Sequence, residues 1–220
     1  MRLMSSVFCF IMLALTWFNS ASFAQVEQGD LEISFSGSLG WSETRGEGMF
    51  STGSQSTTTR IGVGARVGYF VSRRVDVGGI IGASYSDFDS EWDSGFGSDF
   101  EGGDSYTVSI GPAVNFHFRP DTDIVPFIGA AAGITDGESN SSGSAGERIE
   151  TYDGWFAEAR GGADFFLTPH VAIKLQLRYR RQETEQVLHQ QFQGGALTWN
   201  SSTDDVATLV GFAIFLDTKK

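Results

Sequence analysis

The sequence has little cysteine, proline or histidine, and few basic residues relative to acidic ones. Of its 220 residues, 1 is cysteine, 4 are proline and 3 are histidine. Cys9 lies inside an apolar N-terminal segment, so the rest of the chain has no thiol for a disulfide or a thiolate metal site. Lys and Arg number 15 against 27 Asp and Glu, which gives a net charge of -12. This acidity excludes nucleic-acid partners, which require a basic face.

Long apolar runs are also missing, apart from one at the N-terminus. Arg2 supplies a positive charge, residues 7–18 form the apolar stretch, and Ser22-Phe23-Ala24 offers a small-x-small cleavage site. The stretch is shorter than the roughly 20 residues that a membrane-spanning helix needs. The sequence therefore predicts a cleaved signal peptide over residues 1–24 and a single exported domain over 25–220.

The sequence is rich in segments of about ten residues in which apolar and polar side chains alternate. In 31–41 the odd positions are mostly apolar while Glu32 and three serines occupy the other face. In 171–179 the apolar residues alternate with Lys174, Gln176 and Arg178. Charged and glycine-rich polar faces recur on segment after segment. A polar interior inside an apolar exterior is the arrangement that lipid requires, so the pattern predicts an all-β transmembrane barrel.

Eight such segments predict a closed, antiparallel, up-and-down barrel, because an open sheet edge cannot lie in hydrocarbon. The predicted strands lie near 30–42, 58–70, 75–86, 105–118, 124–134, 152–166, 171–179 and 205–216. The faces of the fifth segment are not assigned by its sequence. Short connections are predicted near 71–74, 119–123 and 167–170. Long polar loops are predicted near 43–57, 87–104, 135–151 and 181–204.

The alternation of short and long connections orients the barrel. Short periplasmic turns and long extracellular loops are typical of outer-membrane barrels, so both termini are expected in the periplasm. Within the last loop, 187–192 and 196–199 read as two strands, which we expect to extend strands seven and eight outwards.

The inward faces carry charges of both signs. An eight-stranded barrel is only wide enough for its side chains to fill the interior, and a buried charge needs a partner. We therefore expect an ion-pair network that closes the lumen, in which Arg60 and Arg66 contact Glu32, Asp76 or inward hydroxyls. Its predicted members are Glu32, Arg60, Arg66, Asp76, Glu158, Arg160, Asp164, Lys174, Arg178 and Arg180.

Strands six and seven meet at a tight turn, which sets the facing residues of the network. This register predicts Asp164 near Lys174, and Glu158 near Arg178 or Arg180.

Residues 87–95 contain the sharpest local pattern, an alternation of acids that resembles the start of a calcium-binding loop. The acids are Asp87, Asp89, Glu91 and Asp93. Trp92 stands where an EF-hand needs glycine, so that motif is excluded. A solvated acidic loop is one interpretation, and weak divalent-cation binding at the lipopolysaccharide surface is the other. No cofactor is expected.

The histidines do not indicate catalysis. Some membrane barrels of this size are lipid A deacylases, which need a histidine and a nearby serine facing lipid near the outer surface. The sequence predicts that His117 faces inward at the periplasmic end, that His170 lies in a periplasmic turn, and that His189 lies in an outer loop. No nucleophile, base and orienting group come together, so we expect the chain not to be an enzyme.

Two stretches, 125–133 (VPFIGAAAG) and 161–175 (GGADFFLTPHVAIKL), resemble the OmpA/OmpX-like family of small outer-membrane β-barrels. The resemblance covers essentially the whole mature chain. It implies a monomer in the outer membrane of the Gram-negative envelope, surrounded by membrane lipid and lipopolysaccharide. Periplasmic chaperones and the barrel-insertion machinery would be its partners during biogenesis.

The expected function is a structural or surface-interaction role, such as adhesion or envelope integrity. It would combine a plugged, non-conducting lumen with acidic extracellular loops that meet an unknown partner. A narrow porin-like channel is the alternative, and a lipid A-modifying enzyme is less favoured.

Overall fold

A computed structural model describes residues 26–48, 51–94, 97–118, 122–143, 146–189 and 196–218. The predicted signal peptide, residues 1–24, lies outside these ranges and stays a prediction. The strands are β1 (Leu31–Gly48), β2 (Ser51–Ser72), β3 (Val75–Ser94), β4 (Gly97–His117), β5 (Ile124–Gly143), β6 (Gly146–Thr168), β7 (Val171–His189) and β8 (Ala196–Leu216). Within these ranges no helix has the length and apolarity needed to cross a membrane.

Each strand pairs antiparallel with the next, and β1 pairs with β8 to close the ring. The predicted fold class, a closed eight-stranded up-and-down barrel, is therefore confirmed. The chain crosses the turns at Ser72–Val75 and Thr168–Val171 at the end of the barrel that also holds Val26 and Leu216.

The strands are much longer than the sequence predicts, with 18 residues in β1 and 23 in β6. The predicted long loops near 43–57, 87–104, 135–151 and 181–204 are wrong, since most of their residues extend the strands. Four hairpins continue their pairing to Gly48–Ser51, Ser94–Gly97, Gly143–Gly146 and His189–Ala196. The expected outward extension of strands seven and eight is part of this pattern up to His189 and from Ala196 onwards, and residues 190–195 lie outside the described part of the chain.

The extra length carries the barrel beyond the bilayer. Crossing a bilayer takes only about 9–11 tilted residues at about 3.3 Å each. Roughly half of each strand therefore projects past the apolar band. There both faces contact water. The alternation of apolar and polar residues, which identifies a membrane-spanning strand in the sequence, is therefore lost.

The outward face has an apolar band with a sharp outer border. Ile61, Val63, Val67 and Tyr69 of β2 are all between 47% and 62% exposed, as expected of side chains that contact lipid. An aromatic side chain closes this band on four strands, and a charged residue follows two positions further out. These pairs are Tyr85 and Asp87, Tyr106 and Asp104, Trp155 and Asp153, and Tyr179 and Arg181. Tyrosine and tryptophan favour this level of a membrane, where one end of the ring is wet.

The closing ladder is shorter than the others and leaves a seam. Pairing of β1 with β8 runs only from Leu31–Leu216 to Gly37–Val210. Both strands continue well beyond this point, β1 to Gly48 and β8 back to Ala196. We call the stretch above Gly37 and Val210 the seam. It lies in the outer half of the barrel wall.

Candidate functional site

The lumen of the described barrel has three levels. An apolar cluster lies at the end of the barrel with the short turns and the described chain ends, which the sequence predicts to be periplasmic. We call it the apolar plug and define it as Val26, Phe70, Val125, Phe166, Ala172, Ala213 and Phe215. Above it lies a buried ion-pair network, defined as Glu32, Arg66, Asp76, His117, Asp164 and Lys174. Towards the outer end is a cavity of about 260 Å³, which we call the outer cavity.

Aromatic stacking holds the apolar plug together. The rings of Phe166 and Phe215 have centroids 4.8 Å apart, and those of Phe70 and Phe215 are 6.2 Å apart. Phe70 is fully buried. Val125 belongs to the fifth strand, and its burial beside that of Phe127 assigns the inward face that the sequence leaves open.

Glu32 is the centre of the buried network on the β1 side. Lys174 Nζ donates a 2.6 Å hydrogen bond to Glu32 Oε1, and Arg66 Nη1 lies 3.2 Å from Glu32 Oε2. The same ammonium lies 3.3 Å from Asp164 Oδ1. Glu32 is completely buried, so its charge depends on these cations rather than on water.

Asp76 and His117 complete the network on the β3 and β4 side. Arg66 pairs with Asp76 Oδ1, and Nε2 of His117 lies 2.7 Å from Asp76 Oδ2. The other ring nitrogen of His117 lies 3.9 Å from Asp164 Oδ2. The Phe127 ring lies beside both cationic and imidazole groups, with Lys174 Nζ 4.7 Å from its centroid.

Three members of the network have the chemistry of metal ligands. Atoms of Glu32, Asp76 and His117 all lie within 4.8 Å of one another. However, Arg66 contacts both carboxylates and Lys174 contacts Glu32, so side-chain cations already provide the positive charge at this place. The arrangement is an ion-pair network.

The outer cavity contains a second, looser set of charges. Asp205 Oδ2 accepts a 2.9 Å hydrogen bond from Arg178 Nη2, and Asp205 Oδ1 lies 3.2 Å from Arg60 Nη1. Glu158 lies 3.8 Å from Arg160 Nη1 and 4.0 Å from Arg178 Nε. These distances are at the limit of an ion pair, so Glu158 holds its partners weakly.

Two arginines are fixed mainly by neutral groups. Arg160 Nε donates a 3.0 Å hydrogen bond to Asn115 Oδ1. The guanidinium of Arg180 lies over the ring of Phe156, 3.9 Å from its centroid. Such stacking fixes a guanidinium while leaving its N–H edge free to bind an oxygen.

The structure places the ten predicted inward charges as follows, with Arg160 held by Asn115 and close to Glu158. Asp164 faces Lys174 across β6 and β7, and Glu158 faces Arg180 in the ladder while its ion-pair contact is to Arg178. Arg66 contacts Glu32 and Asp76, as expected. Arg60 differs from the expectation, because its partner is Asp205.

Sequence reasoning missed three participants, namely Asp205, His117 as a network member, and Phe156. The alternation of β8 could have identified Asp205, which has the same parity as the inward residues Leu209 and Phe215. His117 has the parity of an inward residue, but its neighbours come from other strands. The stacking of Arg180 on Phe156 also depends on barrel curvature.

The acidic segment is strand, not loop. Asp87 and Asp89 lie on the outward face of β3 and are exposed, and Asp87 pairs in the ladder with Asp104 of β4. The side chains of Glu91 and Asp93 lie outside the described part of the chain. Divalent-cation binding here stays a prediction.

The histidines other than His117 lie away from the lumen network. His170 is an exposed turn residue between β6 and β7. His189, which the sequence predicts in an outer loop, is instead the last residue of β7.

Comparison with a known structure shows a shared fold. The chain is similar to the outer membrane protein OprG from Pseudomonas aeruginosa, with 12% identity and a TM-score of 0.60, covering 89% of this chain and 100% of that one. It is also similar to a major outer membrane protein from Thermus thermophilus, with 11% identity and a TM-score of 0.49, covering 84% and 99%. No curated protein sequence matches significantly.

A family model identifies the chain directly. Residues 10–204 match the model of the outer membrane protein beta-barrel domain. This match spans most of the sequence and agrees with the closed ring of strands, the apolar outward band and the polar lumen. The chain therefore belongs to the outer membrane protein beta-barrel domain family and is an outer-membrane protein.

Proposed function

We propose that the protein is a non-conducting outer-membrane barrel that presents a rigid acidic extension for structural or surface-interaction roles. The single observation that carries the proposal is that buried side chains occupy the lumen at two successive levels. The apolar plug is a buried cluster at the periplasmic end, and the buried network above it consists of groups no more than 7% exposed.

The extension supports the second half of the proposal. Beyond the aromatic border the paired hairpins continue for several residues, and their outward face carries exposed acids such as Asp87, Asp136 and Asp153. Paired strands hold such side chains at fixed spacing, which suits recognition of a partner better than a loop would. A partner of complementary, basic character would fit this surface.

Planar-bilayer recordings of the refolded mature protein test the plug. We expect no steady conductance, because ions would have to pass both closed levels. Stepwise openings of the wild-type protein would instead support the alternative of a narrow porin-like channel, for which the outer cavity would be the vestibule.

The proposal includes the absence of enzymatic activity and export by a cleaved signal peptide. Both ring nitrogens of His117 face carboxylates, those of Asp76 and Asp164, and among the described residues no hydroxyl nucleophile contacts the ring. Mass spectrometry of lipid A from cells that express the protein should show no change. An altered acyl pattern would favour the enzyme. Sequencing of the mature N-terminus should begin at Gln25.

A further inference from the structure

We propose that the outer cavity binds a phosphate group, held by the guanidinium groups of Arg160, Arg178 and Arg180. This inference concerns a ligand site within the lumen and is independent of whether the barrel conducts. It rests on the charge balance of the cavity, on unpartnered donors, and on a built framework that orients them.

The outer cavity has more cations than its acids can neutralise. Arg60, Arg160, Arg178 and Arg180 line it, whereas Glu158 and Asp205 are the only acids among the described residues of its lining. The other cations at its base, in the buried network, already contact carboxylates there. A surplus of two positive charges therefore remains. A phosphate monoester carries about -1.5 to -2 charges near neutral pH, which matches this surplus.

The surplus coincides with donors that lack partners. Arg160 Nη2, Arg178 Nε, and both Nε and Nη2 of Arg180 are buried and have no hydrogen-bond partner among the described protein atoms. Arg160 itself is only 7% exposed. A buried guanidinium N–H without an acceptor is costly, so an incoming oxyanion would stabilise the site.

The framework favours a tetrahedral oxyanion. The donors come from two strands, Arg160 on β6 and Arg178 and Arg180 on β7. Asn115 fixes Arg160 through a hydrogen bond, and Phe156 fixes Arg180 through stacking. Three free donor atoms on Arg160 and Arg180, beside an Arg178 Nε that has only its 4.0 Å contact to Glu158, suit a group with three or four oxygens. Guanidinium forks match phosphate geometry.

The cavity has both room and access for such a group. About 10–15 Å³ of comparable volume admits one water molecule, so about 260 Å³ accepts a phosphate together with several waters. The side chain of Arg60 is 49% exposed at its outer rim, so the cavity reaches water.

A second route reaches the cavity from the side. Ser38 of β1 and Asp205 and Leu209 of β8 line the cavity on the two sides of the seam. A phosphate could therefore arrive as a free ion through the outer mouth, or as a lipid headgroup through the seam.

The test uses the refolded full-length mature protein, with Arg180→Gln as the site variant. Arg181→Gln is the matched control, because Arg181 is the next residue on β7, is exposed on the outward face, and contacts Glu183. The first probe is inorganic phosphate against chloride at equal ionic strength, read out by phosphorus NMR titration and by the urea midpoint. The second probe is phosphatidic acid in phosphatidylcholine nanodiscs.

We expect saturable binding by the wild type and the control, weakened about tenfold or more in Arg180→Gln through loss of charge-assisted hydrogen bonds. Arg180→Lys keeps the charge but not the forked guanidinium, so its affinity should lie between those of the wild type and Arg180→Gln. It replaces Arg180→Gln in the test if the glutamine variant does not fold. Binding of inorganic phosphate identifies the free ion as the source, and an effect of phosphatidic acid alone identifies a headgroup. Equal responses of wild type and Arg180→Gln, or no response to either probe, would overturn the proposal.

Discussion

The two halves of the lumen are built from the same inward rows but have different interiors. In the periplasmic half, three carboxylates, two cations and His117 are all no more than 7% exposed, and the acids share their cations at 2.6–3.3 Å. In the outer half, four arginines have two acids, and the side chains of Arg178 and Asp205 are 20% and 25% exposed. In the periplasmic half each buried carboxylate contacts a cation, whereas the outer half is more exposed and has more cations than acids.

The difference shows what sets the strength of an ion pair in a barrel. The apolar plug keeps water away from the buried network, so each charge there depends on its partners. Water reaches the outer cavity and screens its charges, so partners there can be loose or exchanged. The proposed closure and the proposed phosphate site therefore lie in separate parts of one lumen.

Removing a carboxylate from the closed half should have the largest effect. Glu32→Ala leaves Lys174 and Arg66 short of a buried partner, and we expect it to lower the free energy of unfolding by about 3–5 kcal/mol. Urea titration in detergent, followed by gel mobility of the folded form, measures this. Glu32→Gln, which keeps the shape and an acceptor oxygen, should lose less. An unchanged urea midpoint for Glu32→Ala would show that the two halves of the lumen do not differ in how strongly their ion pairs stabilise the fold.

Opening the apolar plug should have the second-largest effect on stability. Phe70→Ala removes a fully buried ring, and we expect a loss of about 3 kcal/mol, at the lower end for such changes because the Phe166 and Phe215 rings can relax into the space. The matched control is Phe212→Ala, whose ring is 47% exposed on the lipid face. If both variants unfold at the same urea concentration, the plug contributes no more than the lipid surface.

A carboxylate of the outer half should matter less than Glu32. Glu158→Ala removes two contacts of 3.8 and 4.0 Å, while Arg160 keeps Asn115 and Arg178 keeps Asp205. We expect a loss of about 1–2 kcal/mol, since both lost contacts are long and each arginine keeps another partner. The same urea titration compares it with Glu32→Ala. A loss as large as that of Glu32→Ala would mean that the outer cavity is as dry as the buried network.

The period-two pattern predicts the fold and the facing of side chains well. Apolar residues at alternate positions assign β2 and β7 correctly, and they place Asp164 and Lys174 on the same inward face, where the ladder pairs them. The same alternation along β8 would also have assigned Asp205 to the inward face. These features follow from local geometry, because successive side chains of a strand point to opposite faces.

Two features depend on surroundings that the sequence does not reveal. The predicted strand ends are wrong because polar residues on both faces beyond the membrane look the same in a hairpin and in a loop. The partner of Arg60 is not predicted because Asp205 lies on β8, beyond the neighbouring strand β1. Gly40 faces Arg60 in the β1–β2 ladder and has no side chain to intervene, so the contact depends on barrel closure.

The smallest expected effect concerns the outward acids above the aromatic border. Asp87 lies opposite Asp104 in the β3–β4 ladder, and Asp89 is the next outward residue of β3. Like charges at such spacing repel, and a divalent cation would relieve the repulsion. Calcium at about twice its dissociation constant should slow amide exchange of residues 86–90 about threefold, through its preference for the folded hairpin.

Hydrogen exchange with and without millimolar calcium measures this effect, and the double variant Asp87→Asn, Asp89→Asn provides the control. Amides of β2 and β3 near Val67 and Ile81, within the apolar band, should be unaffected by calcium in either protein. Slowing that is confined to the wild-type hairpin would mean that the wet half of the barrel responds to ions on its outside as well as in its cavity. Identical exchange in the two proteins would leave these acids as a solvated face, whose charge contributes to solubility and to repulsion of other acidic surfaces.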